Sequence, residues 1–243
     1  MDFIQGERFK ELANDKDIFY CHTHHLPDFL KKMEDHDPYY LITHNSDRGT
    51  NIPAPDNVIK WYAQNVNIKD PKIESLPIGI ENNEWLAKAC KRGVLLDTME
   101  SSAWPILNVA YMNHNIATNL KEREGLYPMF RDKPWVTIKE GRNGKGFRDY
   151  IHNIRHHLFT FCPEGNGIDT HRTWEVLYMG RIPIEKRNIN NQYYTDLPIC
   201  FVDSWEEVTL EFLSLELERI KTTTWNFDKL TFDYWKNKIQ NHE

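Results

Sequence analysis

The chain has 243 residues, 40% hydrophobic, 27% charged and 13% aromatic, which suits one large or two compact domains and excludes wholesale disorder. A net charge of -6 argues against nucleic acid as a partner, yet it leaves room for a small anion held by a few local cations. Mean hydropathy is -0.67, apolar runs stay short of the roughly 18 residues of a membrane span, and the N-terminal MDFIQGERFKEL has no signal-peptide pattern, so a soluble cytoplasmic protein is expected.

Short β-rich runs alternate with helical stretches, which predicts an α/β protein. Ile18–Thr23 and Tyr39–His44 read as strands, with a helix over Leu26–Glu34 between them. Asp56–Gln64 reads as a helix, Ile73–Ile80 as extended, and Glu84–Lys91 as a helix closed by Gly93. The rhythm restarts with a strand at Ile106–Met112 and a helix over Asn119–Phe130. Strands follow at Trp135–Lys139, Leu158–Cys162, Arg181–Ile184 and Pro198–Val202, with a helix at Asp169–Met179 stopped by Gly180. Ser204 and Glu207 form a capping box before a helix whose buried stripe is Val208, Leu213, Leu217 and Ile220. The aromatic segment Trp225–Ile239 ends the pattern. Two halves meeting near residue 104 are the simplest parse: 1–104, 105–222 and a terminal segment 223–243. Cys21, Cys90, Cys162 and Cys200 lack paired spacing, so neither a disulfide framework nor a zinc ribbon is expected.

The stretch from Cys162 to Glu175 carries the most chemistry. A strand runs into Pro163-Glu164-Gly165-Asn166-Gly167 and then into a helix capped by Asp169 or Thr170. Glycines allow close backbone approach, and the helix start offers free amides that suit phosphate. His171 and Arg172 lie in the first turn, where the helix dipole disfavours a cation unless an anion is shared with it. Glu175 shares their helix face, at a spacing that lets its carboxylate accept ribose hydroxyls while Arg172 holds phosphates. The same spacing also describes a Gly-rich surface loop decorated by an Arg172–Glu175 ion pair.

The residues CPEGNGIDTHRTWEVLYMGRIPI resemble the nucleotide-sugar motif of exostosin-like glycosyltransferases, particularly their small bacterial and large-DNA-virus relatives. The resemblance continues through YYLITHNSD, WYAQNVNIKDPKIESLPIGIENNEW, NHNIATNLKER and LPICFVDSWEEV. It implies a GT-B architecture, two Rossmann-like domains facing a cleft, with a C-terminal helix crossing back to the first domain. It also implies metal-independent transfer from a nucleoside diphosphate sugar to a glycan hydroxyl; the exostosin likeness favours inversion, and with retention no enzymic base is required and Asp47 would be an acceptor contact. At matching positions Arg172 would contact the diphosphate and Glu175 the ribose, with Asn166, Gly167, Asp169 and Thr170 lining the donor. Golgi exostosins carry an anchor and a longer stem; neither is expected here, a departure that touches localisation more than chemistry.

Asn115 and Arg123, beside the strand Ile106–Met112, are further donor-side candidates, Arg123 as a cation for the leaving diphosphate. Within KEREG, Arg123 equally reads as a solvated helix partner. Asp47, after the strand Tyr39–His44, is the candidate base, with His44 and Asp28 as alternatives; an Asx turn with Arg48-Gly49 explains it as well. Gly79, Glu81 and Asn82 read as a cleft-lining loop on the acceptor side, or as a plain strand terminus. His22, His24, His25, His156 and His157 lack a metal-ligand pattern and read better as surface or acceptor-facing groups than as a hydrolase centre. Trp61, Trp85 and Trp104 are minor candidates for stacking on a sugar. A non-catalytic glycan- or nucleotide-binding module of the same fold is the competing class.

Overall fold

The computed structural model describes residues 2–14, 17–87, 91–101, 104–139 and 146–241. Cys90, with the later part (88–90) of the predicted Glu84–Lys91 helix, lies outside them. In the first half, helix α1 (Gly6–Lys10) precedes β1 (Ile18–His22), α2 (Leu26–Lys32), β2 (Tyr39–His44), β3 (Val58–Ala63) and β4 (Ile73–Ser75). The four strands pair in parallel in the order β1-β2-β3-β4. Helices α3 (Asn83–Ala87) and α4 (Lys91–Glu100) follow.

The second half runs β5 (Asn108–Met112), α5 (Leu120–Arg123), α6 (Leu126–Phe130), β6 (Val136–Ile138), α7 (Gly146–Arg155), β7 (His157–Phe161), α8 (His171–Tyr178), β8 (Ile182–Lys186), β9 (Cys200–Val202), α9 (Leu210–Thr222) and α10 (Phe232–Gln240). Its five strands form a second parallel sheet, ordered β6-β5-β7-β8-β9. The molecule is therefore α/β with two parallel sheets. Cys21, Cys162 and Cys200 are free and buried. Among the described residues no helix is long and apolar enough to cross a membrane.

Several elements depart from expectation for physical reasons. The predicted helix Asp56–Gln64 is the strand β3. Val58, Trp61 and Tyr62 match helical spacing, and a short apolar run cannot distinguish the two periods. Burial between β2 and β4, with Trp61 Nε1 donating to Thr43 Oγ1 at 2.8 Å, settles it as a strand. Gly93 sits inside α4 rather than closing a helix, and a Cβ there would meet open space. Asn119–Phe130 divides into α5, capped by the Asn119 side chain, and α6. The Ser204–Glu207 box closes only a 3-10 turn; α9 begins later, capped by the Thr209 hydroxyl accepting from Phe212 N at 3.1 Å. Helix α7, buried through Ile151 and Ile154, has no counterpart in the sequence reading.

Apolar burial joins the halves. One core runs from Ile4, Ile42 and Tyr62 through Tyr111 and Trp174 to Trp235, while two further cores cover the outer faces of the sheets. The Tyr178 hydroxyl of α8 accepts from Ile4 N at 3.0 Å and donates to Leu230 O at 2.9 Å, tying both ends of the chain to the second half. Helix α10 lies on the N-terminal segment: Phe232 N donates to Asp2 O at 3.1 Å, the Arg8 guanidinium covers the Phe232 ring at 3.8 Å, and Lys238 pairs with Glu74.

Candidate functional site

In an open parallel sheet the ligand crevice lies beyond the carboxyl ends of the strands where the strand order reverses. That point falls between β5 and β7, since β6 lies on one side of β5 and β7 on the other. Tyr111 comes from β5 and His114 from the loop after it, Thr160 from β7 with Cys162 directly following, Arg172 and Glu175 from α8, and Tyr150 from α7.

Arg172 lies over the Tyr150 ring, 4.9 Å from its centroid, and the Tyr150 hydroxyl donates to Glu175 Oε2 at 2.7 Å. Arg172 Nη1 is sealed from solvent and has no hydrogen-bond partner. The same holds for the hydroxyls of Tyr111, Thr160 and Thr170 and for both ring nitrogens of His114. Native interiors pair nearly all buried polar atoms, which sets these side chains apart as polar groups with hydrogen-bonding capacity to spare. Burial pulls the Arg172 guanidinium down, but Tyr150, Cys162 and Glu175 outweigh it and keep the group charged. Burial and the fields of Arg172 and Arg123 push His114 down to about 3, so its imidazole is neutral. Its ring stacks on Tyr127 with centroids 4.4 Å apart. Burial pushes Glu175 up to about 7, against the Tyr150 hydroxyl and the charge of Arg172. The arrangement is a buried cation, neutral donors and a carboxylate poised between its two states, a set suited to an anion with hydroxyls attached.

Arg123 is neither a solvated helix partner nor a free cation. Its Nε donates to Glu164 O at 2.7 Å, Nη1 to Asn115 O at 3.0 Å and Nη2 to Pro163 O at 3.1 Å. The guanidinium thus straps the loop after β7 to the loop after β5, and its donors face carbonyls rather than a phosphate site. Gly165 belongs to this fastening, because a Cβ there would come within 3.1 Å of Arg123 Nη2. The Asn115 side chain is occupied locally, accepting from Ala117 N at 3.1 Å.

Asp169 also differs from expectation. Its carboxylate accepts from Ile78 N at 2.7 Å and Trp174 Nε1 at 2.9 Å, which makes it a buried tie between the halves instead of a wall of the donor site. Neither Asp169 nor Thr170 caps α8 through its side chain. Gly167 packs against Asn65, where a Cβ would lie 2.6 Å from Nδ2. Asn65, which sequence reading missed, has φ +56°, accepts from Asp169 N at 2.9 Å and donates to Ser46 O at 3.1 Å. The polar run after β3 was its only signal.

A cavity of about 330 Å³ is lined by residues of the first half, among them His44, Asp47, Glu81, Asn82 and Trp85, together with His171 of α8. Asp47 is exposed and accepts from Asn166 Nδ2 at 3.2 Å, a contact that bridges the halves. The expected Asx turn is absent there; Arg48 N donates to Ser46 Oγ at 3.2 Å instead. His44 has both nitrogens committed, Nε2 donating to Pro77 O at 3.1 Å and Nδ1 accepting from Asn45 N at 2.8 Å. Burial pushes it down to about 4, so it is a packed neutral ring, not an acceptor ligand. Gly79 has φ +65°, and a Cβ would lie 2.2 Å from Ile4 O; its carbonyl, 2.7 Å from His171 Nδ1, faces that ring. Glu81 pairs with Lys91. Asp28 lies in the exposed first turn of α2. Trp61 is buried and Trp104 Nε1 donates to Thr98 O at 3.1 Å, whereas Trp85 is 57% exposed at the cavity rim. His22, His24 and His25 cluster, with 4.0 Å between the last two rings, but among the described residues no three His, Cys, Asp or Glu side chains converge on a metal position.

Neither protein-family models nor curated protein sequences give a match to this chain.

Proposed function

We propose that the chain is a GT-B glycosyltransferase that moves a sugar from a nucleoside diphosphate sugar to a glycan hydroxyl with inversion and without a metal. The observation that carries this reading is Arg172 Nη1, a buried donor without a partner on a charged side chain, beside the unpaired Tyr111 hydroxyl and His114 ring. A diphosphate would give those donors an acceptor and the buried guanidinium a counter-charge. As the sugar departs, negative charge grows on the diphosphate, and a preorganised cation in a water-poor site stabilises it. Arg123 adds its positive field from behind the carbonyls it straps.

Glu175 lies on the same face of α8 as Arg172, and its carboxylate takes the two ribose hydroxyls as donors. Binding hydroxyls favours its ionised form, opposing the burial that pushes it up. The acceptor enters the 330 Å³ cavity from the first half, where Asp47 and Trp85 form its walls. A thermal-shift screen against UDP, GDP, ADP, TDP and their sugar conjugates tests the reading. A ligand at about 100 times its Kd adds about 2.7 kcal/mol of apparent stability. One nucleotide class raising the melting temperature supports the reading, and a flat response across the whole panel removes it.

A further inference from the structure

We propose that His171 Nε2 is the base that accepts the proton of the acceptor hydroxyl. This assignment rests on the glycosyltransferase reading above and names its proton acceptor. His171 lines the 330 Å³ cavity. Its Nδ1 lies 2.7 Å from the Gly79 carbonyl. A carbonyl only accepts, so Nδ1 carries the hydrogen and Nε2 of the neutral ring carries the lone pair. Burial pushes the imidazole below its ordinary value, against the Gly79 carbonyl and the nearby carboxylates of Glu81 and Asp47, which keeps the lone pair available at neutral pH. A base oriented by a second group and open to a cavity is the geometry general base catalysis requires.

Asp47 has a different place in this scheme. It is exposed and held by Asn166, and its charge lies where it stabilises the imidazolium formed during the reaction. The step is a single displacement. The acceptor O–H proton passes to His171 Nε2 while that oxygen bonds the anomeric carbon. The bond from that carbon to the diphosphate oxygen breaks, and its electron pair leaves with the nucleoside diphosphate beside Arg172. The imidazolium then releases its proton to water. Gly79 is constrained to serve here, since its positive φ and its contact with Ile4 fix the direction of its carbonyl.

Three proteins test the assignment: the wild type, His171→Asn and Asp47→Asn. Asparagine at 171 offers an amide donor to the Gly79 carbonyl and removes the Nε2 lone pair. Release of UDP or GDP from a panel of UDP- and GDP-sugars, with mixed oligosaccharides as acceptors, is followed from pH 5 to 9, and UDP and GDP affinity is measured by calorimetry. General base catalysis contributes about 10²–10⁴-fold. His171→Asn is expected to lose at least about 100-fold in turnover, to keep nucleotide affinity within about twofold, and to lose the acid limb of the pH profile. Asp47, Glu81, Lys91 and His44 also face this ring, so Asp47→Asn is expected to shift the limb without removing it.

Turnover of His171→Asn near the wild-type rate, or turnover and affinity lost together, overturns the base assignment while the transferase reading stands. A wild type that neither binds nor turns over any of these donors removes that reading and this assignment with it. Diethyl pyrocarbonate mapped by mass spectrometry gives a check free of substrate: His171 is expected to be carbethoxylated at pH 7, and an unreactive His171 contradicts an available Nε2.

Discussion

Replacing Arg172 by methionine separates a ligand-binding cation from a structural one, because the first predicts a loss of affinity with little change in the free protein and the second the reverse. Arg172 forms no ion pair within 4.0 Å among the described residues, and its sealed Nη1 lacks a partner. A methionine of similar length removes the desolvation cost of the guanidinium and its unpaired donor. It also forfeits the attraction of the surrounding groups, which outweighs burial in the fold, and a cation–π contact with Tyr150 worth about 0.5–2 kcal/mol. Arg172→Met should therefore change free-state stability by no more than about 1 kcal/mol, about 2–4 °C for a chain of this length. Loss of a charge-assisted phosphate contact costs about 1.5–3 kcal/mol, so nucleoside diphosphate affinity should fall by about 10–150-fold. Scanning calorimetry of the free protein and titration calorimetry with UDP or GDP read the two quantities. A variant that melts several degrees below wild type and binds nucleotide as well as wild type would make Arg172 a structural residue and refute the reasoning.

Glu175 should give binding a distinctive pH dependence. Its ordinary value is raised to about 7, and ribose hydroxyls bind the ionised form, so affinity for a nucleoside diphosphate sugar falls as pH drops below about 7, by at most about tenfold per unit. Glu175→Gln should bind weakly with no such slope, and a wild-type affinity that is level from pH 5 to 8 would contradict the role. His114 has a folded value of about 3 against roughly 6.5 unfolded, so only the unfolded chain binds its proton in between; its contribution is fully present above the unfolded value and is lost as pH falls. His114→Phe, which keeps a ring over Tyr127, should cut the stability lost between pH 6.5 and 5 by up to about 2 kcal/mol, and an unchanged acid slope in thermal melts would count against it. Asp169, Glu175 and Glu185, each raised to about 7, act in the opposite direction between about 4.5 and 7, so wild type and variant must be compared pH by pH. Asp169→Ala leaves Ile78 N and Trp174 Nε1 without acceptors in the interior and should cost about 2–6 kcal/mol in urea unfolding. A loss under 1 kcal/mol would mean the two halves do not depend on this tie.

The sequence made the alternation of strands and helices legible because parallel strands buried on both faces read as apolar runs, as in Tyr39–His44, which is β2 to the residue. It failed where two periods coincide over a short run, at β3, and where polar residues hide an amphipathic helix, at α7. Among the candidate site residues, the join between strand and helix after β7 stands out in the sequence because Gly-rich punctuation and a helix start are local features. Which polar group faces that crevice is a tertiary property. Arg123 and Asp169 have the composition of ligand contacts, yet their partners are the carbonyls, amide and indole supplied by other loops. Tyr111 lies outside the quoted stretches, while His114 and Asn65 lie within NHNIATNLKER and WYAQNVNIKDPK without being singled out there, and the packing of β5, β7 and the loop after β3 makes them stand out. His171 read as one more cation at a helix start until the Gly79 carbonyl fixed its tautomer.

A crystal of the protein soaked with the nucleotide that gives the largest thermal shift puts the proposed pyrophosphate contact of Arg172 to the most direct test. The expected density has a phosphate oxygen within hydrogen-bond distance of Arg172 Nη1 and both ribose hydroxyls on the Glu175 carboxylate. Nucleotide bound elsewhere, with Arg172 still packed on Tyr150 and Nη1 still unpaired, would contradict it.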